Sequence, residues 1–201
     1  MIEQFNESNQ VAGNITINGE IIPFLFKKEI IHLPKSLIVG KKVTYPIAKQ
    51  GKKEEDGGNP SLNLLWKKCR EDGTRDYLLS QKTSMNLEAL LGFYFDINKN
   101  EDGNFSYIVG SLMRADFIVP EGFDCHEVGE SEFAVCWYKY KTEDDIWSVA
   151  HGTVEKYMEE QGYKGTGGCS ELYMFDEDEV NKGEAGYNIL GYLIACQKKN
   201  N

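Results

Sequence analysis

Apolar and β-branched residues concentrate in two early stretches, 24–33 and 36–45, separated by Pro34, and each has the length and composition of a strand. The first twenty residues are polar and weakly patterned and read as a lead-in arm or linker. After the strands, residues 49–58 form a charged, glycine-rich stretch, best read as a solvated loop. Leu62, Leu65, Trp66 and Cys69 then recur at helical spacing. With Asn59 as N-cap, Pro60 at the first helical position and Gly73 as the stop, they predict a helix over 59–72. Two further strands, 87–97 and 105–114, flank the polar run 98–104, which has the composition of a hairpin turn.

The same order recurs in the second half. A connecting strand near 123–128 leads to an aromatic-rich strand over 132–140. A helix opens at Thr142 with Glu143, Asp144 and Asp145 in its first turn, where negative charge suits the helix dipole. Ile146, Val149, Ala150, Thr153, Val154 and Tyr157 make its inner face and Gly162 closes it. Strands over 169–175 and 187–197 follow, joined by the acidic turn 176–183. The chain thus reads β-α-β-β twice, an α+β fold class with an antiparallel sheet and its helices on one face. The expected layout is an arm over 1–23, one domain over 24–197 built of halves 24–116 and 123–197, and a polar tail, 198–201.

One residue departs from the pattern. In the strand Cys169-Ser170-Glu171-Leu172-Tyr173-Met174-Phe175, alternation puts Glu171 on one face with Cys169, Tyr173 and Phe175. A charge in that company is costly unless paired, hydrogen-bonded or protonated. The alternative is an exposed Glu on an edge strand.

Composition narrows the function classes. The 11 Tyr, 10 Phe and 3 Trp suit a folded core and equally an aromatic-lined site. A net charge of −10 argues against direct binding to nucleic acid or an anionic membrane, both of which need clustered Lys and Arg. Residues 1–23 contain no helix-turn-helix. No apolar run approaches a membrane span, and the first residues lack the basic and apolar regions of a signal peptide. Five separated cysteines, Cys69, Cys125, Cys136, Cys169 and Cys196, read as reduced thiols of a cytoplasmic protein. With His32, His126 and His151 scattered, no metal site is expected and no cofactor is implied. The acidic turn does not have EF-hand spacing and reads as solvated.

Several segments in order carry a family likeness: Phe133-Ala134-Val135, the helix end Tyr157-Met158-Glu159-Glu160-Gln161-Gly162-Tyr163, and Ser170-Glu171-Leu172-Tyr173. In the first half, Ser36-Leu37-Ile38-Val39-Gly40, Leu64-Leu65-Trp66-Lys67-Lys68, Leu91-Gly92-Phe93-Tyr94-Phe95-Asp96 and Phe105-Ser106-Tyr107-Ile108-Val109-Gly110 extend it. Over roughly 24–197 the chain resembles the GyrI-like small-molecule-binding domain, also the effector-binding domain of AraC- and MerR-type bacterial regulators. The resemblance implies two pseudo-symmetric βαββ modules around a central pocket with a glutamate deep inside, and that position is Glu171 here.

A glutamate among aromatics suits an organic cation. Desolvation raises the carboxyl pKa in the empty pocket, and a cation restores the ionised form. Aromatic faces add about 0.5–2 kcal/mol each. Tyr173 shares the Glu171 strand face and is pocket or core. Trp66 and Trp147 lie on the helices, where a tryptophan serves either role. Strand register decides the faces of Trp137, Tyr94 and Tyr107. These are the candidate ligand residues, and the expected partner is a hydrophobic cationic small molecule. The protein would act alone, or as the sensing part of a regulator whose DNA-binding domain is fused or separate. The alternative is an enzyme: some GyrI-like proteins hydrolyse cyclopropane-containing natural products, and Glu171 would orient water while Tyr173 donates a proton. A gyrase-inhibitor type of protein interaction is a third class. Haem would need an axial ligand, and none of the three histidines falls on a segment assigned to the pocket.

Overall fold

In the computed structural model, residues 15–17, 20–22, 25–49, 60–81, 90–96, 103–140, 149–173 and 188–199 are described; for 15–17, 20–22, 26, 139–140, 167–173 and 188–189 the description is of backbone. The strands are β1 (Ile15–Ile17), β2 (Glu20–Ile22), β3 (Leu25–Leu33), β4 (Ser36–Pro46), β5 (Leu90–Phe95), β6 (Asn104–Arg114), β7 (Asp124–Val128), β8 (Ser131–Tyr140), β9 (Tyr163–Tyr173) and β10 (Asn188–Lys198). The helices are α1 (Leu62–Glu71), α2 (Thr74–Leu79) and α3 (Ala150–Glu160). The class is α+β: the described residues form a two-stranded β1–β2 ladder, the antiparallel strand runs β5-β6-β4-β7 and β3-β8-β10-β9, and three α-helices.

Within residues 1–23, β1 and β2 form an antiparallel two-stranded ladder, Ile15 to Ile22 and Ile17 to Glu20. Asn18-Gly19, the dipeptide between them, is a strong hairpin signal when flanked by alternating apolar residues. The lead-in arm therefore contains local structure that its polar composition conceals.

The chain divides into two units with boundaries at Pro34/Lys35 and Gly129/Glu130. In the first, the strand order is β5-β6-β4-β7, all antiparallel. One face carries α1 and α2. Leu65 and Cys69, one helical turn apart, pack on Phe105, Tyr107 and Val109, alternate residues of β6. Leu78 of α2 packs on Val39, Leu90 and Met113. Full burial of side chains such as Leu78 and Met113 contributes about 1.5–3 kcal/mol each, which fixes these short helices to the sheet.

The cap of α1 is shifted from the expected position. Ser61 is the N-cap, its hydroxyl accepting from the Asn63 amide at 3.3 Å, and Pro60 precedes the helix; Asn59 lies outside the described residues. Gly73, at φ +80°, ends α1 in the left-handed conformation that glycine adopts without a Cβ penalty. It also leads directly into α2, a six-residue helix that the pattern did not reveal.

In the second unit the order is β3-β8-β10-β9, again antiparallel. It is the same order as the first, with β8, α3, β9 and β10 in place of β4, α1, β5 and β6. Ala150, Val154 and Met158 of α3 recur every four residues and pack on Ala134, Cys136 and Tyr138 of β8 and on Leu190, Tyr192, Ile194 and Cys196 of β10. Gly162, at φ +76°, follows the helix and starts β9 six residues earlier than the expected strand. The opening of this helix at Thr142, with its acidic first turn, lies outside the described residues.

The edge strands do not follow the expected halves. β3, grouped by sequence with 24–116, pairs with β8, and β7, grouped with 123–197, pairs with β4. Such long-range ladders close late and leave no local signal. Both faces of β8 are buried: residues 133–138 are all 3% exposed or less.

Candidate functional site

Antiparallel register places Glu171 on β9 opposite Tyr192 on β10, and Tyr192 in turn opposite Cys136 on β8. Tyr173 is opposite Leu190. The side chains of Glu171 and Tyr173 lie outside the described residues, as does the whole of Trp147. Tyr192 lies across the ladder from Glu171. It is 8% exposed, in the core cluster under α3. Its hydroxyl is 3.2 Å from Nδ1 of His151, the two rings meeting edge to face at 5.9 Å. His151 Nε2 lies 3.4 Å from Oε1 of Glu155, one turn along α3. A phenol, an imidazole and a carboxylate therefore form a chain from the β10 core to solvent.

The surroundings of Tyr192 on β8 are uncharged. Burial pushes the Cys136 thiol up to about 12, and burial also raises the Tyr138 hydroxyl. Neither Tyr192 nor His151 stood among the candidates. The two are 41 residues apart, and the β9–β10 register sets Tyr192 opposite Glu171.

The first unit brings together Trp66, Tyr107 and Tyr94. Trp66 Nε1 donates to the Tyr107 hydroxyl at 2.9 Å, and the Tyr94 and Tyr107 ring centroids are 4.5 Å apart. Tyr107 is 1% exposed, so it holds the other two rings in place, while Trp66 and Tyr94 keep partial exposure. Phe105 and the partly buried Tyr45 extend the cluster.

Trp137 falls elsewhere. Register pairs it with Gly191, and Ala134, Cys136 and Tyr138, its alternate neighbours, take the α3 face, so Trp137 occupies the opposite face. Its ring lies against Gly191, where a Cβ would come within 2.6 Å of it. Its Nε1 donates to Oε1 of Glu29 at 2.7 Å, and Lys27 Nζ lies 2.9 Å from the other carboxylate oxygen. The indole is locked into the framework.

A model of the GyrI-like small-molecule-binding domain matches residues 27–190. The chain belongs to that family. Solved structures carry the same fold at low identity. SAV2435 bound to tetraphenylphosphonium is 16% identical, with a TM-score of 0.61 over 86% of this chain and 94% of that one. The EcmrR C-terminal domain is 13% identical, with a TM-score of 0.55 over 88% and 100%. An integron cassette protein of Vibrio cholerae is 13% identical, with a TM-score of 0.52 over 85% and 95%. No curated protein matches by sequence. Among the described residues of this GyrI-like domain, no group of three or more His, Cys, Asp or Glu is placed to hold a metal, and no helix is long and apolar enough to cross a membrane.

Proposed function

We propose that this GyrI-like domain binds amphipathic aromatic cations, with Glu171 as the anionic centre and Tyr173 beside it. The observation that carries the reading is the register of Glu171 opposite Tyr192, whose ring and β8 neighbours form an apolar, uncharged environment. A carboxylate held against such a surface gains its charge partner from the ligand, and the rings accept the apolar body. Support from kinship is the tetraphenylphosphonium bound by SAV2435. EcmrR, whose C-terminal domain has this fold and which has been solved in complex with DNA, supports a role as one part of a DNA-binding regulator.

The test is titration with tetraphenylphosphonium, followed by tryptophan fluorescence. Binding is expected in the micromolar range, about −8 kcal/mol. Glu171→Gln keeps the shape and removes the charge, so it is expected to weaken the cation by about 1.5–3 kcal/mol and leave neutral triphenylphosphine oxide unchanged. Equal losses for both would mean that Glu171 acts through packing, and the cation reading would fail.

A further inference from the structure

Tyr192 is covered, and a ligand that reaches it has to displace part of the cover. It lies in the core cluster with Cys136, Tyr138, Leu190 and Ile194, all buried. On the strand side the cover is hydrogen-bonded ladder, β8 to β10 and β10 to β9. On the other side it is α3, whose turns are anchored unequally. Val154 and Met158, further along the helix, are buried in the cluster, and Tyr157 packs beside them. The first turn contributes the single methyl of Ala150, with Val149 only partly buried at its start.

The residues of that turn are also poor helix starters. Val149, at the N-cap, makes no side-chain capping bond, where Ser, Thr, Asp or Asn would satisfy an orphan amide. Gly152 has the lowest helix propensity after proline. The Thr153 hydroxyl bonds back to the Val149 carbonyl at 2.8 Å, a local bond that slightly destabilises a helix. What the turn holds in place is His151, its ring edge to face with Tyr192 at 5.9 Å and its Nδ1 3.2 Å from the hydroxyl. The contact of His151 with Glu155 at 3.4 Å reaches into the next turn, but both side chains are exposed, so the tie is weak.

We infer that the first turn of α3, 149–153, opens as a unit of its own while the rest of the helix stays docked, and that this opening is the route by which ligands reach Tyr192. The route rests on the cation-site reading; the opening is a property of the fold. Lifting Ala150 and His151 exposes little apolar surface, which is what a segment of low local stability requires. Undocking Val154 and Met158 exposes far more, so the opening stops there. The turn re-forms over the ligand, and both entry and exit pass through the open state.

Gly152→Ala is the direct test, because a Cβ there meets nothing within 4 Å and acts through helix propensity. Amide exchange gives a readout without ligand. The Thr153 amide donates to the Val149 carbonyl at 3.0 Å. Corrected for intrinsic rates, it is expected to exchange about tenfold or more faster than that of Met158 in wild type. In Gly152→Ala it should slow by about two- to fivefold. Equal protection of Thr153 and Met158 in wild type would mean that α3 opens only as a whole, and would overturn the inference. With tetraphenylphosphonium in stopped-flow fluorescence, association and dissociation should both slow about two- to fivefold in Gly152→Ala, with affinity within about twofold of wild type. Ala150→Gly, which removes the buried methyl and adds a second glycine, should speed both by about fivefold, compared where slow Met158 exchange shows the rest of the helix intact. Ordinary fraying of a helix end would shift Thr153 exchange and leave both ligand rates unchanged, which would overturn the route. A loss of affinity in Gly152→Ala with dissociation unchanged would also overturn it, since the turn would then be displaced in the complex rather than re-formed. A wild type that does not bind tetraphenylphosphonium overturns the cation reading and the route with it, while the exchange rates still decide the local opening.

Discussion

The indole N–H of Trp66 donates to the hydroxyl of Tyr107 at 2.9 Å, and the space that both groups occupy exists because residue 92 is glycine. A Cβ at that position would be 1.9 Å from the Tyr107 hydroxyl oxygen, 2.6 Å from the adjoining ring carbon and 3.0 Å from the Trp66 ring. Gly92→Ala is therefore expected to destabilise the protein by about 1–3 kcal/mol, the usual cost of overpacking. Tyr107→Phe alone should cost about 0.5–1.5 kcal/mol through the lost hydrogen bond. Combined, the two should cost less than their sum, because removing the hydroxyl removes the closest contact. The ring carbon still collides, so recovery is partial. Urea unfolding of the four proteins measures the coupling, and strict additivity would refute the shared-space argument.

Alkaline pH should unfold the protein early. Burial pushes the thiol of Cys69 up to about 11 and that of Cys136 up to about 12, from an ordinary value of 9.0. Above that ordinary value the unfolded chain releases these protons while the native state keeps them. The unfolded state then binds fewer protons, and stability falls with rising pH by about 1.4 kcal/mol per pH unit for each group so held. Below the ordinary thiol range this contribution is constant. Urea midpoints should be flat with respect to these groups near neutrality and should decline from about pH 9 upward. A flat profile through that range would contradict the burial of both thiols.

Thiol labelling separates the cysteines without any ligand. Cys125 is exposed on β7, whereas Cys69, Cys136 and Cys196 are buried. Reactivity requires an accessible thiolate. Brief treatment of the native protein with iodoacetamide, read by peptide mass spectrometry, is expected to modify Cys125 well ahead of those three. Early labelling of Cys136 would place it outside the core under α3.

What could be read from the chain was what local periodicity encodes. Leu62, Leu65, Trp66 and Cys69 located α1, and the run of aromatic and β-branched residues from Phe105 to Val109, set off by the polar turn before it, located β6. α2 covers six residues and buries only Thr74 and Leu78, too few to define a period. The start of β9 was hidden by Gly165, Gly167 and Gly168, which lower strand propensity and match no apolar pattern. Asn18-Gly19 was a readable hairpin signal, obscured by the polar residues around it. The exchanged edge strands and the meeting of His151 with Tyr192 depend on long-range register, which no local pattern carries. Glu171 was legible as an anomaly. Its partner across the ladder was not.

The two faces of β8 and β10 separate the framework around Trp137 from the proposed site. Trp137 is 3% exposed, lies against Gly191 and donates to Glu29, on the sheet face away from α3, whereas Tyr192 packs on the face toward α3. Trp137→Phe removes part of a buried ring and the donor to Glu29. It is expected to cost about 1–3 kcal/mol of stability, a usual figure for a core truncation. Glu29→Gln keeps an acceptor for the indole but gives up the pair with Lys27 at 2.9 Å. Both members of that pair are partly exposed, so the expected loss is smaller, about 1 kcal/mol or less. Neither change touches the Tyr192 side of the sheet. The affinity for tetraphenylphosphonium should therefore stay within about twofold of wild type under conditions where both variants are folded, measured by calorimetry so that loss of a fluorophore does not matter. A large loss of affinity in Trp137→Phe with stability intact would put the ligand on the opposite face of β8 and β10, and would sink the pairing of Glu171 with Tyr192 as the centre of the site.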